Sequence, residues 1–231
     1  MSNTTTLVIN QPTFLPWIGY FDLIHQADIF VILDTVQFSR QSWQQRNRVK
    51  TSQGATWLTI PIERNFGDLI TEVKINYSTG WVSKQLKTLE LNYKKTLFFE
   101  EIFPEVAKIY NANPKYLVDL NVEIIKFFVD YLGLNTKIVL AHDLPLKKID
   151  KLSYILDICN FVHANRYLNG QAGVKLYNPD DFKRKNIELV FHNFQHPVYN
   201  QLHGDFIPYL SIFDVACNLG PETRSLLNAK T

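Results

Sequence analysis

Two side chains of this sequence have the chemistry and the setting for proton transfer. Asp34 follows the apolar run at residues 29–33, and a carboxylate there could bind an amine, act as a base or hold a metal. His196 precedes Pro197, which restricts the histidine to extended backbone, and its imidazole titrates near neutrality. We therefore expect His196 or Asp34 to be the catalytic base. The structural alternatives are a helix cap or an arginine partner for Asp34 and a packed ring for His196.

Side chains suited to binding are concentrated in the first fifty residues and around His196. Prolines, aromatic rings, amides and arginines that follow a buried strand are more typical of a ligand site than of packing. A guanidinium fork suits a diphosphate, and an indole can stack on a base or a sugar ring. The same mixture also fits single-stranded RNA or a solvated loop. The candidate substrate-binding residues are Gln11, Pro16, Trp17, Tyr20, Gln37, Arg40, Trp43, Arg46, Asn47, Arg48, Tyr199 and Gln201.

Familiar catalytic and cofactor motifs are absent from the sequence. There is no Gly-x-Ser-x-Gly, no P-loop, no Gly-x-Gly-x-x-Gly and no Cys-x-x-Cys. The histidines at 192, 196 and 203 with Asp205 could ligate a metal, but their spacing matches no familiar metal motif. We therefore expect no metal and no cofactor. Cys159 and Cys217 lie in apolar stretches and are predicted to be buried free thiols.

Composition narrows the class of protein. The 231 residues carry a net charge of +2, so the electrostatics do not indicate a nucleic-acid binder. Hydrophobic residues make up 46%, which argues against disorder. The first ten residues do not resemble a signal peptide, and no apolar run approaches the roughly 20 residues of a membrane span. We expect a cytoplasmic protein with a small-molecule substrate.

The elements that would position these residues begin with a βαβ unit within residues 7–33. The continuous apolar run at 29–33 is the pattern of a strand buried on both faces. Because the carboxyl ends of parallel strands meet at one edge of a sheet, Asn10, Gln11 and Asp34 should lie close together. Open α/β sheets bind ligands at that edge. The βαβ unit therefore predicts a ligand site at Asn10, Gln11 and Asp34.

The remaining pattern predicts one α/β domain over residues 1–231, with a helical insertion at about 81–133. Asn113 before Pro114 is a predicted helix cap, and Gly133 is a predicted helix end. Ser211 and Asp214 resemble a capping box. Further predicted strands are 56–62, 71–75, 137–140 and 187–191, and further predicted helices are 149–163, 179–185 and one that begins near 211.

Several segments together resemble the WbqC-like family, over a range from residue 8 to about residue 220. The opening segments are QPTFLPWIGYFDLI, ADIFVILDTVQFSRQSWQQRNRVK and WLTIPI. The later segments are Tyr167-Leu-Asn-Gly170, His196-Pro-Val-Tyr-Asn-Gln201, Leu210-Ser-Ile-Phe-Asp214 and Asn218-Leu-Gly220. The family occurs in bacterial gene clusters for surface polysaccharides. The resemblance implies action on sugar precursors, with acyl or aminoacyl transfer to an amino sugar as a leading idea.

A second, local resemblance concerns the fold. The layout of residues 12–31 is similar to the first βαβ unit of the nucleotidylyltransferase superfamily, which implies a mostly parallel, Rossmann-like sheet. That superfamily has a His-x-Gly-His element where this chain has Trp17-Ile-Gly-Tyr20, so both histidines are missing. The missing histidines put phosphate-transfer chemistry at this position in doubt.

The resemblance to the WbqC-like family implies a transferase of O-antigen-type lipopolysaccharide synthesis, and with the candidate residues we expect it to act on the amine of a nucleotide-linked amino sugar. His196 or Asp34 would remove the amine proton, and Arg46 with Arg48 would hold the diphosphate. The acyl or aminoacyl donor stays open between a thioester, an acyl-adenylate and a charged carrier. The alternatives are a non-catalytic sugar-nucleotide-binding or scaffold protein, and an ATP-using adenylate-forming enzyme.

Overall fold

The computed structural model describes residues 4–230 and contains nine strands and seven α-helices within them. The strands are β1 (Thr6–Asn10), β2 (Ile29–Ile32), β3 (Arg46–Thr51), β4 (Gly54–Thr59), β5 (Ile62–Glu63), β6 (Lys74–Ile75), β7 (Lys137–Leu140), β8 (Arg166–Asn169) and β9 (Glu188–Phe191). The α-helices are α1 (Ile18–Gln26), α2 (Trp81–Tyr93), α3 (Phe99–Asn111), α4 (Leu117–Tyr131), α5 (Lys151–Phe161), α6 (Pro179–Lys183) and α7 (Ile212–Leu219). Short 3-10 helices span Ile70–Glu72, Ala141–Asp143, Gln171–Lys175 and Gly220–Leu226.

Five parallel strands form the central sheet, in the order β7-β2-β1-β8-β9. The chain starts at β1 in the middle and moves through β2 to β7 at one edge. It then returns to the other side of β1 and continues through β8 to β9. The strand order therefore reverses between β1 and β8, and connections leave these two strands in opposite directions. Such a reversal opens a crevice at the carboxyl ends of the two strands.

Helices cover both faces of this sheet because neighbouring residues of each strand point to opposite sides. In β1, Val8 packs into the larger core with α1 and α4, whereas Leu7 and Ile9 pack into a second core with α5 and α6. The predicted α/β class with a mostly parallel sheet is confirmed. Within residues 4–230, no helix is long and apolar enough to span a membrane.

The segment between β2 and β7 holds more than the predicted helices. Helices α2, α3 and α4 occupy residues 81–131, as the apolar periodicity indicates, but the antiparallel pairs β3–β4 and β5–β6 precede them. The basic segment at residues 46–51 is therefore a strand and not a loop. Its alternation explains why Asn47 and Val49 are buried in the core while Arg46 and Arg48 lie on the opposite face. Residues 1–3 and 231, the ends of the predicted domain, lie outside the described residues.

Two of the predicted strands differ in the structure. The predicted strand at 56–62 is divided into β4 and β5, because Pro61 has no N–H to donate to a ladder. The predicted strand at 71–75 is mostly wrong. The 3-10 helix at Ile70–Glu72 replaces its first half, and the Glu72 carboxylate accepts a hydrogen bond from the Leu69 N–H at 2.8 Å.

The predicted helix ends also differ. Asn113 is in the left-handed region with φ 51°, and α4 begins at Leu117, so Asn113 is not its cap. The Ser211–Asp214 capping box is wrong, because the Ser211 hydroxyl is buried without a partner in residues 4–230 and tyrosine hydroxyls occupy the Asp214 carboxylate. The helix end at Gly133 is confirmed, with φ 61° just after α4.

Candidate active site

A cavity of about 580 Å³ lies where the strand order reverses, between the carboxyl ends of β1 and β8. We call it the switch-point cavity. Its polar lining includes amide side chains from three strand ends, two lysines and three tyrosines. These residues are Asn10, Gln11, Gln37, Lys148, Lys151, Tyr154, Tyr167, Asn169 and Tyr177, and the other lining residues are Ile9, Leu33, Val36, Ile155, Gly170, Gly173 and Leu176. Its volume is within the range of small-molecule sites, about 300–1,000 Å³.

The amides of this cavity are held in place by the turn after β1. Asn10 Oδ1 accepts a hydrogen bond from the Gln11 N–H at 2.9 Å, and the Gln44 amide donates to Gln11 Oε1 at 2.7 Å. The buried Tyr20 hydroxyl donates to the Gln11 carbonyl at 3.1 Å. The Gln11 side-chain NH₂ has no acceptor within residues 4–230, so it can donate to a ligand. Gln11 is therefore oriented by protein groups and still has hydrogen-bonding capacity left.

The opposite wall of the cavity comes from β8 and the short helix after it. A Cβ atom on Gly173 would come within 2.1 Å of the Asn169 side-chain nitrogen, so only glycine leaves room for that amide. Burial raises the pKa of Tyr167, which keeps its hydroxyl protonated. The Lys151 ammonium lies 5.4 Å from the centre of the Tyr177 ring, a cation–π distance. This wall presents hydroxyl donors, an amide and positive charge to the cavity.

Asp34 forms a pair with His142 at the same edge of the sheet. Asp34 is fully buried after β2, and His142 follows β7, the neighbouring strand. His142 Nδ1 lies 2.5 Å from Asp34 Oδ2, and the His142 backbone N–H donates to Oδ1 at 3.1 Å. The two contacts fix both the position and the ring orientation of the histidine. Asp143 Oδ1 lies 3.5 Å from the other ring nitrogen, Nε2.

The environment makes His142 more basic than an ordinary histidine. Desolvation lowers its pKa, but the hydrogen bond to Asp34 and the charges of Asp34, Asp143 and Asp119 outweigh this, so the net pKa is raised. Its side chain is 44% exposed, so solvent and solutes can reach the ring. In many enzymes, a buried carboxylate orients an accessible imidazole that acts as a general base, and Asp34 and His142 have this arrangement.

The position of this pair relative to the cavity follows from the chain around Asp34. Leu33, Val36 and Gln37 line the cavity, but Asp34 and His142 do not. Thr35 links the two regions, because its hydroxyl lies 3.0 Å from the Tyr154 hydroxyl in the cavity wall. The structure therefore places the pair beside the cavity and at the same sheet edge. Sequence reasoning missed His142, although its place just after the predicted strand 137–140 could have signalled it.

His196 lies in a separate cluster of aromatic rings. Its ring stacks on Trp17 at 5.9 Å and meets Tyr209 edge-on at 4.8 Å. Burial lowers its pKa, partly opposed by the hydrogen bond between Nδ1 and the Pro197 carbonyl at 2.8 Å. The contacts of Asp34 are with His142, so the two predicted bases belong to different clusters. As a base, His196 stays a prediction from the sequence.

Tyr199 and Gln201 belong to a buried polar network under the segment at residues 192–210. Asp214 accepts hydrogen bonds from Tyr93 at 2.6 Å and from Tyr199 at 2.8 Å. Lys50, 1% exposed, donates to Gln201 Oε1 at 3.1 Å and to the carbonyls of residues 204 and 205. We call these five side chains the Lys50–Asp214 network. Its polar groups are bonded to one another and hold the segment against β3 and α7.

The predicted arginines and Trp43 lie on the outer face of the β3–β4 pair. The Arg46 guanidinium carbon lies 4.4 Å from the centre of the Trp57 ring, and that of Arg48 lies 5.8 Å from it. Trp43 and Trp57 are nearly half exposed, with ring centroids 5.5 Å apart. None of these four residues lines the switch-point cavity. The assignment of Arg46 and Arg48 to the diphosphate stays a prediction.

The other predicted binding residues have mixed positions. Gln11 and Gln37 line the cavity, and Arg40 lies beyond Gln37 in a neighbouring cavity. Asn47 is buried and donates to the Phe14 and Leu15 carbonyls at 3.2 and 2.7 Å. The Pro16 carbonyl accepts from the first N–H of α7 at 2.7 Å. Asn47 and Pro16 thus shape the turn after β1.

The histidines considered as metal ligands have separate partners. His192 Nε2 lies 2.5 Å from Asp22, and His203 Nε2 lies 2.9 Å from the Asn92 carbonyl. Throughout residues 4–230, no group of three or more His, Cys, Asp or Glu side chains is arranged to hold a metal ion.

Comparison with known proteins places most of the chain within one family. A protein of Mycobacterium tuberculosis (strain ATCC 25618 / H37Rv), "Uncharacterized protein Rv1507c", is 32% identical over 225 residues, which cover 96% of each chain. The WbqC-like protein family matches residues 11–226, a range that begins at Gln11 and includes Asp34, His142 and Asn169. The chain therefore belongs to the WbqC-like protein family.

Proposed function

We propose that this protein is a cytoplasmic transferase of surface-polysaccharide synthesis. It moves an acyl or aminoacyl group onto the amine of a nucleotide-linked amino sugar bound in the switch-point cavity. The observation that carries the proposal is the lining of that cavity: amides from three strand ends face two lysines and three tyrosines. Amides suit sugar hydroxyls, ammonium groups suit a diphosphate, and tyrosine rings suit a base or a sugar ring.

The topology supports the same ligand class. Doubly wound sheets bind nucleotides outside the carboxyl ends of their strands, where the strand order reverses. This cavity lies at such a reversal, between β1 and β8. The Gly-rich phosphate loop of many such folds is absent, so we assign the diphosphate to Lys148 and Lys151, which line the wall after β7.

The Asp34–His142 pair supplies the proton transfer. The amine nitrogen of the sugar attacks the acyl carbon, and a new carbon–nitrogen bond forms while the bond from that carbon to the donor's leaving group breaks. With Nδ1–H donated to Asp34, the Nε2 atom of His142 takes the amine proton and then passes it to the leaving group. The pair replaces His196 as our first candidate for the base.

A second function, binding of the nucleotide-linked sugar without turnover, is favoured by one observation. Neither Asp34 nor His142 lines the cavity, whereas a general base must come within hydrogen-bond reach of the proton that it takes. A binding or scaffold protein would need only the cavity. Turnover separates the two functions.

Binding is tested by calorimetric titration of uridine-diphosphate-linked amino sugars into the full chain. We expect saturable binding that is weakened by Asn169→Ala, which removes an amide from the cavity wall. Asn160→Ala is the matched control, because Asn160 is exposed on α5 and does not line the cavity. Equal affinities of the Asn169→Ala variant and the wild type would contradict the assignment of the cavity.

Catalysis is tested with the same sugar and a panel of acyl-adenylates and acyl thioesters. His142→Ala should abolish most of the transfer, about 10²-fold or more for loss of a general base, while the sugar affinity stays unchanged. His203→Asn is the matched control, because His203 is exposed with φ 63° and asparagine tolerates that backbone. Binding without transfer from any donor in the wild type would favour the second function.

A further inference from the structure

A second, smaller cavity lies next to the switch-point cavity. Gln37 lines both, and the smaller one has a volume of about 310 Å³. We call it the arginine cavity, and its lining residues are Gln37, Phe38, Ser39, Arg40, Arg64 and Phe66. On its other side lies a wide cavity of about 1080 Å³ over β5 and β6, and Arg40, Arg64 and Phe66 line both. The arginine cavity therefore lies between the other two and shares a wall with each.

The two guanidinium groups of the arginine cavity have no carboxylate partner within residues 4–230. Arg40 makes no ion pair there, and Arg64 donates only to the Asn65 carbonyl at 3.3 Å. The Arg64 guanidinium carbon lies 5.8 Å from the centre of the Phe38 ring, which supports the side chain from one side. No acidic residue lines this cavity. Two arginines with free donors in one small concave site suit a phosphate group.

Three carboxylates line the wide cavity, those of Glu63, Asp68 and Glu72, and none of them forms an ion pair with Arg40 or Arg64 within residues 4–230. Asp68 Oδ2 accepts from the Asn65 N–H at 2.6 Å, and Glu72 Oε2 accepts from the Leu69 N–H at 2.8 Å. Both hydrogen bonds stabilise turns and occupy one oxygen of each carboxylate. The positive charge of Arg40 and Arg64 therefore remains available to a ligand.

Phe66 adds a flat apolar surface at the mouth of the arginine cavity. Its side chain is 94% exposed, the largest exposed fraction among the large hydrophobic residues of the described chain. The turn that presents it requires Gly67, with φ 94°. An exposed aromatic ring beside two arginines is suited to a ligand that joins a base to a phosphate.

We infer that the arginine cavity binds the adenosine phosphate of the acyl donor, with the phosphate on Arg40 and Arg64 and the base on Phe66. The donor's acyl end then points past Gln37 towards the sugar in the switch-point cavity. This inference rests on the proposed function and adds the donor class, an acyl-adenylate or a coenzyme A thioester. In either case the leaving group carries the phosphate and takes the proton that His142 receives from the amine.

The test titrates adenosine monophosphate and coenzyme A into the full chain, alone and saturated with the amino-sugar nucleotide. We expect at least one of them to bind in both states. Arg40→Ala with Arg64→Ala should weaken that binding by about tenfold or more, and Phe66→Ala should weaken it by a smaller factor. The affinity for the sugar nucleotide should change less than about twofold. Arg184→Ala is the control, because Arg184 lies on the surface after α6 and pairs with Asp181.

The two probes also distinguish the donors. Equal binding of both probes indicates an acyl-adenylate, whose phosphate sits directly on the adenosine. Tighter binding of coenzyme A indicates a thioester. Either result supports the inference.

Three results would overturn the inference. In the first, neither probe binds. In the second, the probes bind with affinities that the arginine substitutions leave unchanged. In the third, the substitutions weaken binding of the sugar nucleotide and not of the probes. The last result would place the diphosphate of the sugar nucleotide at the arginines. Failure of the proposed function looks different: the sugar nucleotide does not bind the wild type, while binding of the probes still depends on Arg40 and Arg64.

Discussion

The switch-point cavity and the Lys50–Asp214 network are both rich in polar side chains, but they use them differently. In the network, the Asp214 carboxylate accepts from Tyr93 and Tyr199, and Lys50 donates to three oxygen atoms. In the cavity, the Lys148 and Lys151 ammonium groups and the Gln11 NH₂ have no hydrogen-bond acceptor within residues 4–230, so they can donate to a ligand. Polar residues thus identify a binding site only where the protein itself does not satisfy them.

The largest expected effect is a loss of stability when a substitution disrupts the Lys50–Asp214 network. Asp214→Ala removes the acceptor of two buried tyrosine hydroxyls and leaves the buried Lys50 ammonium without its nearby negative charge. We expect a loss of about 3–5 kcal/mol in the free energy of unfolding, measured by urea denaturation. Asp157→Ala, at an exposed position on α5, should cost less than about 0.5 kcal/mol. A loss at Asp214 as small as that would show that the network does not hold the fold together.

The next largest expected effect is a loss of ligand affinity at the switch-point cavity, with stability unchanged. Lys148→Ala with Lys151→Ala removes two exposed charges that line the site. The affinity for a nucleotide-linked amino sugar should fall by about tenfold to a hundredfold, because a charged hydrogen bond contributes about 1.5–3 kcal/mol. Calorimetric titration of the wild type, this variant and Lys147→Ala makes the comparison, since Lys147 is exposed nearby but does not line the cavity. Identical affinities in all three proteins would contradict the lysine assignment.

A pair of tyrosine substitutions sharpens the comparison. Tyr199→Phe removes a hydroxyl that donates to Asp214, so the free energy of unfolding should fall by about 1–3 kcal/mol with no change in ligand affinity. Tyr177→Phe removes a hydroxyl from the cavity wall, so it should weaken the ligand with little change in stability. Urea denaturation gives the unfolding free energy of each variant, and calorimetric titration gives its ligand affinity. The opposite pattern would exchange the roles of the two regions.

The smallest expected effect is the pH dependence of the stability that His142 contributes. Because the folded pKa of His142 is raised, its pairing with Asp34 stabilises the fold below the ordinary histidine pKa of 6.5 and is lost as pH rises through the folded value. The difference in unfolding free energy between wild type and His142→Ala should therefore be larger at about pH 6 than at about pH 9, by less than about 1 kcal/mol for so exposed a ring. Denaturation at the two pH values measures it. A larger difference at the higher pH would contradict the direction of the shift.

The sequence was most informative where period and chain order decide the structure. The apolar run at 29–33 predicts a buried strand, and the carboxyl-edge rule then places Asn10 and Gln11 at the cavity. The sequence could not show that Asp34 lies outside the cavity with His142 as its partner, because that partner depends on which strand lies next to β2. The return of the chain to β7 is a property of the whole fold.

The segment around His196 shows a second limit. Histidine, tyrosine and glutamine in the short run His196–Gln201 indicate chemistry when they are read along the chain. In three dimensions Tyr199 and Gln201 bond to Asp214 and Lys50, and those contacts cross 15 and 151 residues of sequence. Local residue types do not tell a satisfied buried network from an open site. The two are told apart only by the partners that the fold brings to each side chain.

The most direct test of the central claim is a crystal structure of the chain with a uridine-diphosphate-linked amino sugar. We predict that the ligand lies between the carboxyl ends of β1 and β8, with its diphosphate at Lys148 and Lys151 and its sugar near Gln11 and Gln37. A ligand that lies instead against Trp17 and His196, with the switch-point cavity empty, would contradict it.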